Sequence, residues 1–239
     1  MTVVVGVDGA GRTYRLGRLA AASGTAAWWV TGSADGLAAA RAEGSLVVVD
    51  DAHRLPADTL RALAAAARDG ARMVMSRRPT IDRPELAELD EAVSATGGVE
   101  LMGPLGRDEL AALVATVTGR PVSPETAAAV HDASAGLAAV AVAVAAAEGP
   151  DPAPALVARV QRRFAILPPD VGAVGRVLAL RLDLTDDMLA TAAELPAGSL
   201  PAPLRTLRDE GLLVPGGERM IPAVAEAVLG ELPAAERRR

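Results

Sequence analysis

The sequence predicts an α/β fold: a parallel sheet with helices on both faces, followed by a small helical lid and a winged-helix domain. Three observations carry this reading. Short β-branched runs alternate with Ala/Leu/Arg segments through the first hundred residues. The stretch Gly6-Val-Asp-Gly-Ala-Gly-Arg-Thr13 stands between an apolar run and a helix-like segment. Leu46-Val-Val-Val-Asp-Asp-Ala-His53 ends a wholly apolar strand in two adjacent carboxylates.

In chain order, the β-branched runs predict strands over 2–5, 27–31, 46–50, 72–76 and 99–102, with helices over 13–22, 36–43, 57–68 and 84–92 between them. Continuous apolar strands separated by helices argue for a parallel sheet covered on both faces. After Gly103-Pro104 the strand signal stops, and 106–118, 124–132 and 136–147 read as helices. The second of these opens on Ser123-Pro124-Glu125, an N-cap followed by proline in the first turn. The longest apolar run, 133–147, is too short to span a bilayer and reads as a buried helix. A Pro/Gly-rich linker is expected over 148–154. Helices follow near 155–166, 170–180, 185–193 and 201–210. A strand at Gly211-Leu-Leu-Val214, a turn at Pro215-Gly-Gly217 and a last segment to 232 complete the winged-helix pattern. The expected domains are therefore a nucleotide-binding core over 1–103, a helical lid over 104–150 and a winged-helix-like domain over 155–239.

Composition narrows the function. The 239 residues carry a net charge of −6, which argues against a nucleic-acid binder, and no direct nucleic-acid contact is expected. Charge in the winged-helix-like segment is balanced, so its shape does not imply DNA contact. The absence of cysteine excludes disulfides and cysteine metal sites and suits a reducing compartment. The N-terminus lacks the basic-then-apolar order of a signal peptide, so the expected location is the cytoplasm, with no membrane partner. Every basic residue is arginine, the compositional drift that a GC-rich genome produces. The aromatic residues are Tyr14, Trp28, Trp29 and Phe164, so the core is built from Ala, Val and Leu.

The loop from Gly6 to Thr13 has P-loop spacing: glycine, four residues, glycine, a cation and a hydroxyl. Its strand-loop-helix context brings backbone N–H groups together on phosphate oxygens. The cation is Arg12, a planar fork rather than the compact point charge of lysine. The candidate nucleotide-binding residues are Asp8, Gly9, Ala10, Gly11, Arg12, Thr13 and Tyr14, with ATP or ADP and Mg²⁺ as expected cofactors. Asp50 and Asp51 fall at a strand's C-terminal end, where α/β sheets bind ligands. There Asp50 suits Mg²⁺, beside Thr13, and Asp51 suits polarising an attacking water; alternatively the pair only begins a turn. From Ser76-Arg-Arg-Pro79, Arg77 or Arg78 could reach a γ-phosphate, or form a basic turn paired with Asp82 or Asp51. Arg77 is therefore a candidate catalytic residue with Asp51. His53 could hold the loop by a hydrogen bond. Tyr14 and Arg15 read either as neighbours of the nucleotide or as helix surface. Trp28 and Trp29 point to opposite faces of their strand, so at least one is core.

The order of P-loop, Asp50-Asp-Ala-His53 box, Ser76-Arg-Arg-Pro79 and Pro104-Leu-Gly-Arg-Asp-Glu-Leu110 resembles the ATPase region of LuxR-type, MalT-like transcriptional regulators. These belong to the STAND class of AAA+-related P-loop NTPases. Leu204-Arg-Thr-Leu-Arg-Asp-Glu-Gly-Leu-Leu213 is similar to the winged-helix region that follows the core in them. The resemblance implies that Gly9, Gly11, Arg12 and Thr13 hold phosphates and Mg²⁺. It implies that Asp50 and Asp51 form the Walker B pair and that Arg77 senses the γ-phosphate. It also implies a switch between a closed ADP state and an open ATP state that self-associates or meets a partner protein. The family's sensor region and DNA-binding helix-turn-helix lie further C-terminal, so the expectation is a fragment or an unusually short member.

Three departures fall on nucleotide contacts: Arg12 for the Walker A lysine, no proline near Ala133-Ser-Ala-Gly-Leu137, and Pro222 for a histidine. The expectation is a nucleotide-binding regulatory module with weak or slow ATP hydrolysis. The alternative is a degenerate, nucleotide-free scaffold in which Arg12 pairs with Asp50 or Asp51. A third, an unrelated P-loop enzyme, lacks a recognisable substrate lid or basic DNA groove.

Overall fold

The computed structural model describes residues 1–147 and 153–230, in two compact units, Met1–Gly103 and Pro104–Arg239. The first unit alternates strands β1 (Thr2–Val5), β2 (Ala27–Trp29), β3 (Leu46–Val49), β4 (Met73–Arg77) and β5 (Gly98–Leu101) with helices. The helices are α1 (Arg12–Ala22), α2 (Leu37–Ala42), α3 (Ala57–Arg68) and α4 (Pro84–Ser94). The five strands form one sheet in the order β2-β3-β4-β1-β5, and every pairing is parallel.

The apolar runs of β1, β3 and β4 are explained by burial on both faces. Side chains alternate: Val3, Val5, Val47, Val49, Met73 and Met75 pack with Leu60 and Leu63 of α3 and Leu86 and Leu89 of α4. Val4, Val48 and Val74 pack on the other face, against Leu16 and Ala20 of α1. Trp28 packs against the first cluster, while Trp29 on the edge strand is 37% exposed. Strand β4 lies between β1 and β3. Parallel pairing therefore puts the residues after β1, β3 and β4 along one edge of the sheet, and the candidate site lies there.

The second unit is helical: α5 (Arg107–Thr118), α6 (Pro124–Ser134), α7 (Ala138–Ala145), α8 (Pro154–Ile166), α9 (Pro169–Ala179), α10 (Asp186–Ala192), α11 (Pro201–Asp209) and α12 (Pro222–Leu229). Ser123 caps α6, its hydroxyl accepting from the Thr126 N–H at 3.1 Å. The expected helix over 133–147 is corrected. Ala135 (φ 50°) and Gly136 (φ 75°) turn left-handed and end α6 before α7 begins. Gly136 is required there: a Cβ would sit 2.7 Å from the Leu105 carbonyl oxygen.

The expected two-stranded wing is also corrected. It is a single antiparallel bridge, Leu213 with Met220, flanked by hydrogen bonds from Val214 N–H to the Arg219 carbonyl (2.9 Å) and from Ile221 N–H to the Leu212 carbonyl (3.0 Å). Pro222 then starts α12, which packs against α6 and α8, so the segments expected as lid and winged helix share one unit. The expected linker over 148–154 lies largely outside the described residues, as does the segment after 230. Among the described residues no helix is long and apolar enough to cross a membrane.

Candidate functional site

The loop between β1 and α1 is shaped by three glycines. A Cβ on Gly6 would meet the Cβ atoms of Met102 at 3.1 Å and Ala10 at 3.3 Å, so the chain passes closely there. Gly9 (φ 86°) and Gly11 (φ 96°) take left-handed backbone that other residues adopt only at a cost. Ala10 is buried, and its N–H returns to the Val7 carbonyl at 3.2 Å. The first helical hydrogen bond of α1 runs from Arg15 N–H to the Gly11 carbonyl at 3.0 Å. Among the described residues, the N–H groups of Gly9, Gly11, Arg12 and Thr13 donate to no acceptor. A helix N-terminus with unclaimed donors and its macrodipole favours an anion of phosphate size.

Thr13 is the first link from this loop to β3. Its hydroxyl donates to Asp50 Oδ2 at 2.6 Å. The other oxygen, Asp50 Oδ1, accepts from the Ser76 hydroxyl at 2.6 Å and from the Asp51 N–H at 3.0 Å. The Asp51 N–H is also 2.9 Å from Ser76 Oγ. Ser76 is fully buried at the end of β4, the strand between the two site-bearing strands. It escaped the sequence reading, though a signal existed. Strand alternation puts Ser76 on the face of Val74, toward α1, and the residue after it on the other face. Hydroxyl and carboxylate oxygens are hard donors of the kind Mg²⁺ takes, so Thr13 and Asp50 are residues that would suit that ion. No cluster of three His, Cys, Asp or Glu able to hold a metal by itself occurs among the described residues.

Arg12 lies deeper than a surface cation. Only 5% of it is exposed. Nη1 donates to the Gly6 carbonyl, and Nη2 donates to Asp51 Oδ1 at 2.5 Å. Asp8 lies 3.7 Å from the same nitrogen, and the buried Nε has no hydrogen-bond partner. Asp51 sits at φ 48°, ψ 49°, starts the 3₁₀ turn Ala52–Arg54, and places Oδ2 3.4 Å from Arg54 Nε. The carboxylate expected to polarise water is thus the partner of Arg12.

His53 follows in that turn, and both its ring nitrogens are buried without a partner. The hydrogen bond expected of its ring is absent; its carbonyl is held instead, by Arg83 at 3.1 Å. Burial first, then the charge of Arg78, lowers its pKa from 6.5 to about 4, so the ring is neutral at pH 7. Arg77, expected to face a γ-phosphate, projects from the face of Met73 and Met75 toward α4. Nε donates to Asp90 of α4, and Nη1 donates to the carbonyls of Arg78 (2.9 Å) and Pro79 (3.1 Å). Tyr14 is 71% exposed on α1. Arg15 binds Glu100 through two hydrogen bonds of 2.7 and 2.9 Å, and this partner raises the arginine pKa further.

With this geometry in place, the fold class follows: an α/β P-loop NTPase fold, in which a five-stranded parallel sheet holds a glycine loop against a strand ending in acids. Solved structures agree. A proline-to-glycine mutant of RuvB from Thermotoga maritima has a TM-score of 0.53 at 14% identity, over 97% of this chain and 88% of that one. A lysine-to-arginine mutant of the same protein has a TM-score of 0.53 at 15% identity, with the same coverage. A STAND protein with a tetratricopeptide repeat sensor from Pyrococcus horikoshii is more distant, at a TM-score of 0.44 and 15% identity, and this chain spans 41% of it. At these identities the likeness to the RuvB structures is one of fold. No family model matches the sequence, and no curated protein matches it.

Proposed function

We propose that this chain is a nucleotide-binding regulatory module that takes ATP or ADP with Mg²⁺ and hydrolyses ATP slowly. The observation that supports it best is the Thr13–Asp50 hydrogen bond of 2.6 Å beside a loop whose N–H groups are unclaimed. The loop amides would hold the phosphates, Thr13 and Asp50 the Mg²⁺. Slow hydrolysis follows from Asp51, which has to part from Arg12 before it can polarise water. The Asp50-Asp-Ala-His53 box, by its resemblance to LuxR-type regulators, supports a role in a transcriptional regulator that works by self-association or with a partner protein.

The test is titration with fluorescent ADP and ATP in Mg²⁺, beside phosphate release. Micromolar binding with slow turnover is the expected result; no binding at millimolar nucleotide overturns it. A second reading, a nucleotide-free scaffold, is favoured by the Arg12–Asp51 pair, in which Asp51 already supplies the buried guanidinium with an anion.

A further inference from the structure

The guanidinium of Arg12 has both terminal nitrogens engaged, one on the Gly6 carbonyl and one on Asp51. Nε is buried and unpartnered. A fork so occupied has fewer of its five N–H groups to offer a phosphate, and Asp51 competes for them. Burying a cation is costly without an anion, and Asp51, with Asp8 at 3.7 Å, supplies it. Asp51 meets this demand from a left-handed backbone, a conformation unfavourable for a non-glycine residue. A diphosphate would bring more charge and more acceptor oxygens to the same guanidinium, next to the unclaimed loop amides.

We propose that Arg12 and Asp51 form a latch on the phosphate site, and that a nucleoside diphosphate opens it by competing with Asp51 for Arg12. This inference rests on the nucleotide-binding reading above. Opening releases the Asp51 carboxylate and loosens the start of the 3₁₀ turn Ala52–Arg54, which buried Ala52, the Asp51 N–H on Asp50 and Ser76, and Arg83 on the carbonyls of His53 (3.1 Å) and Leu55 (2.8 Å) still anchor. The turn is the element that would report phosphate occupancy to the rest of this unit. The device suits an arginine loop, because a planar fork holds a loop carbonyl and a strand-end carboxylate in fixed directions through two separate nitrogens.

The test is ADP binding without Mg²⁺, by fluorescence titration, for the unmodified protein, Asp51→Asn, Asp51→Ala, Arg12→Ala and the Arg12→Ala/Asp51→Ala pair. Unlatching by either Asp51 substitution tightens ADP binding by about tenfold, and the gain disappears when Arg12 is also removed. Equal or weaker binding by both Asp51 variants overturns the latch, as does a gain that survives loss of Arg12. If the unmodified protein and every variant fail to bind at millimolar ADP, the nucleotide reading itself falls and takes the latch with it. Hydrogen exchange on the unmodified protein needs no substitution. Saturating ADP speeds exchange of amides 52–55, whereas unchanged or slowed exchange there overturns the proposal.

Discussion

The two faces of the sheet treat neighbouring polar residues in opposite ways. Toward α1, Ser76 and Asp50 are short side chains wired to Thr13 of the glycine loop. Toward α4, Arg77 closes on Asp90 and two carbonyls. One residue of strand parity separates them. Short oxygens on one face leave room for a ligand beside unclaimed amides. The long cation on the other consumes its own hydrogen-bonding capacity in bracing a helix and a turn. An arginine at a strand end is therefore evidence for a phosphate sensor only if its parity puts it on the loop's face.

The sharpest way to break this contrast is Arg77→Ala. Removing one partner of a buried pair leaves Asp90 uncompensated, and the loss is about 3 kcal/mol, a fall of roughly 10 °C in Tm. ADP affinity should hold in the material that remains folded. A variant that melts normally and loses ATP turnover would put Arg77 on the loop's side after all.

Ser76→Ala probes the other face. It removes the hydroxyl that orients Asp50 and meets the Asp51 N–H, at a cost of about 1–2 kcal/mol. Isothermal titration should show ATP affinity in Mg²⁺ lowered by about fivefold, with affinity in EDTA little changed. An equal loss in both would mean that Ser76 supports the loop generally and not the Thr13–Asp50 pair.

Much of the α/β unit was legible because its signals are local. The β-branched runs and the glycine loop specify strand and turn, and the observed strands differ from the expected ranges only at their ends. The 57–68 helix coincides with α3, since an apolar face with helical spacing fixes it. What failed depended on tertiary parity or on single backbone angles. Ser76 is a polar residue in an apolar strand, with no motif of its own, so it was passed over in favour of the charged residue beside it. Ala135 gives no hint of left-handed backbone, so the apolar run 133–147 reads as buried helix although the break between α6 and α7 lies inside it, near the boundary expected between 124–132 and 136–147. The wing failed because Gly211-Leu-Leu-Val214 has strand propensity but a partner of one bridged residue, Met220. The pairing of Arg12 with Asp51 was foreseen only as an alternative, because reach and rotamer decide it.

The 3₁₀ turn between the two faces carries a pH signature. His53 has a folded pKa of about 4 against 6.5 unfolded, so between these values the unfolded chain takes a proton that the folded one refuses. Stability is then unaffected above pH 6.5 and is lost as pH falls toward 4, by about 2 kcal/mol after allowance for partial solvent access. Urea unfolding at pH 7 and pH 4.5 should show a smaller drop for His53→Leu than for the unmodified protein. An identical drop in both would mean that burial and Arg78 do not hold the ring neutral.

The smallest effect is expected at Tyr14, next to the hydroxyl that contacts Asp50. Its ring is 71% exposed on α1, and surface positions of this kind change stability by about 0.5 kcal/mol or less when truncated. A ring that stacked on a nucleotide base would add to affinity, since aromatic stacking on a base is worth about 1–3 kcal/mol. Tyr14→Ala therefore separates a surface tyrosine from a nucleotide contact without disturbing the loop. ADP affinity within about twofold of the unmodified protein assigns recognition to the backbone amides, Thr13 and Arg12 alone. A tenfold loss with an unchanged Tm would extend the site along α1 and give this face an adenine contact that the exposed ring does not advertise.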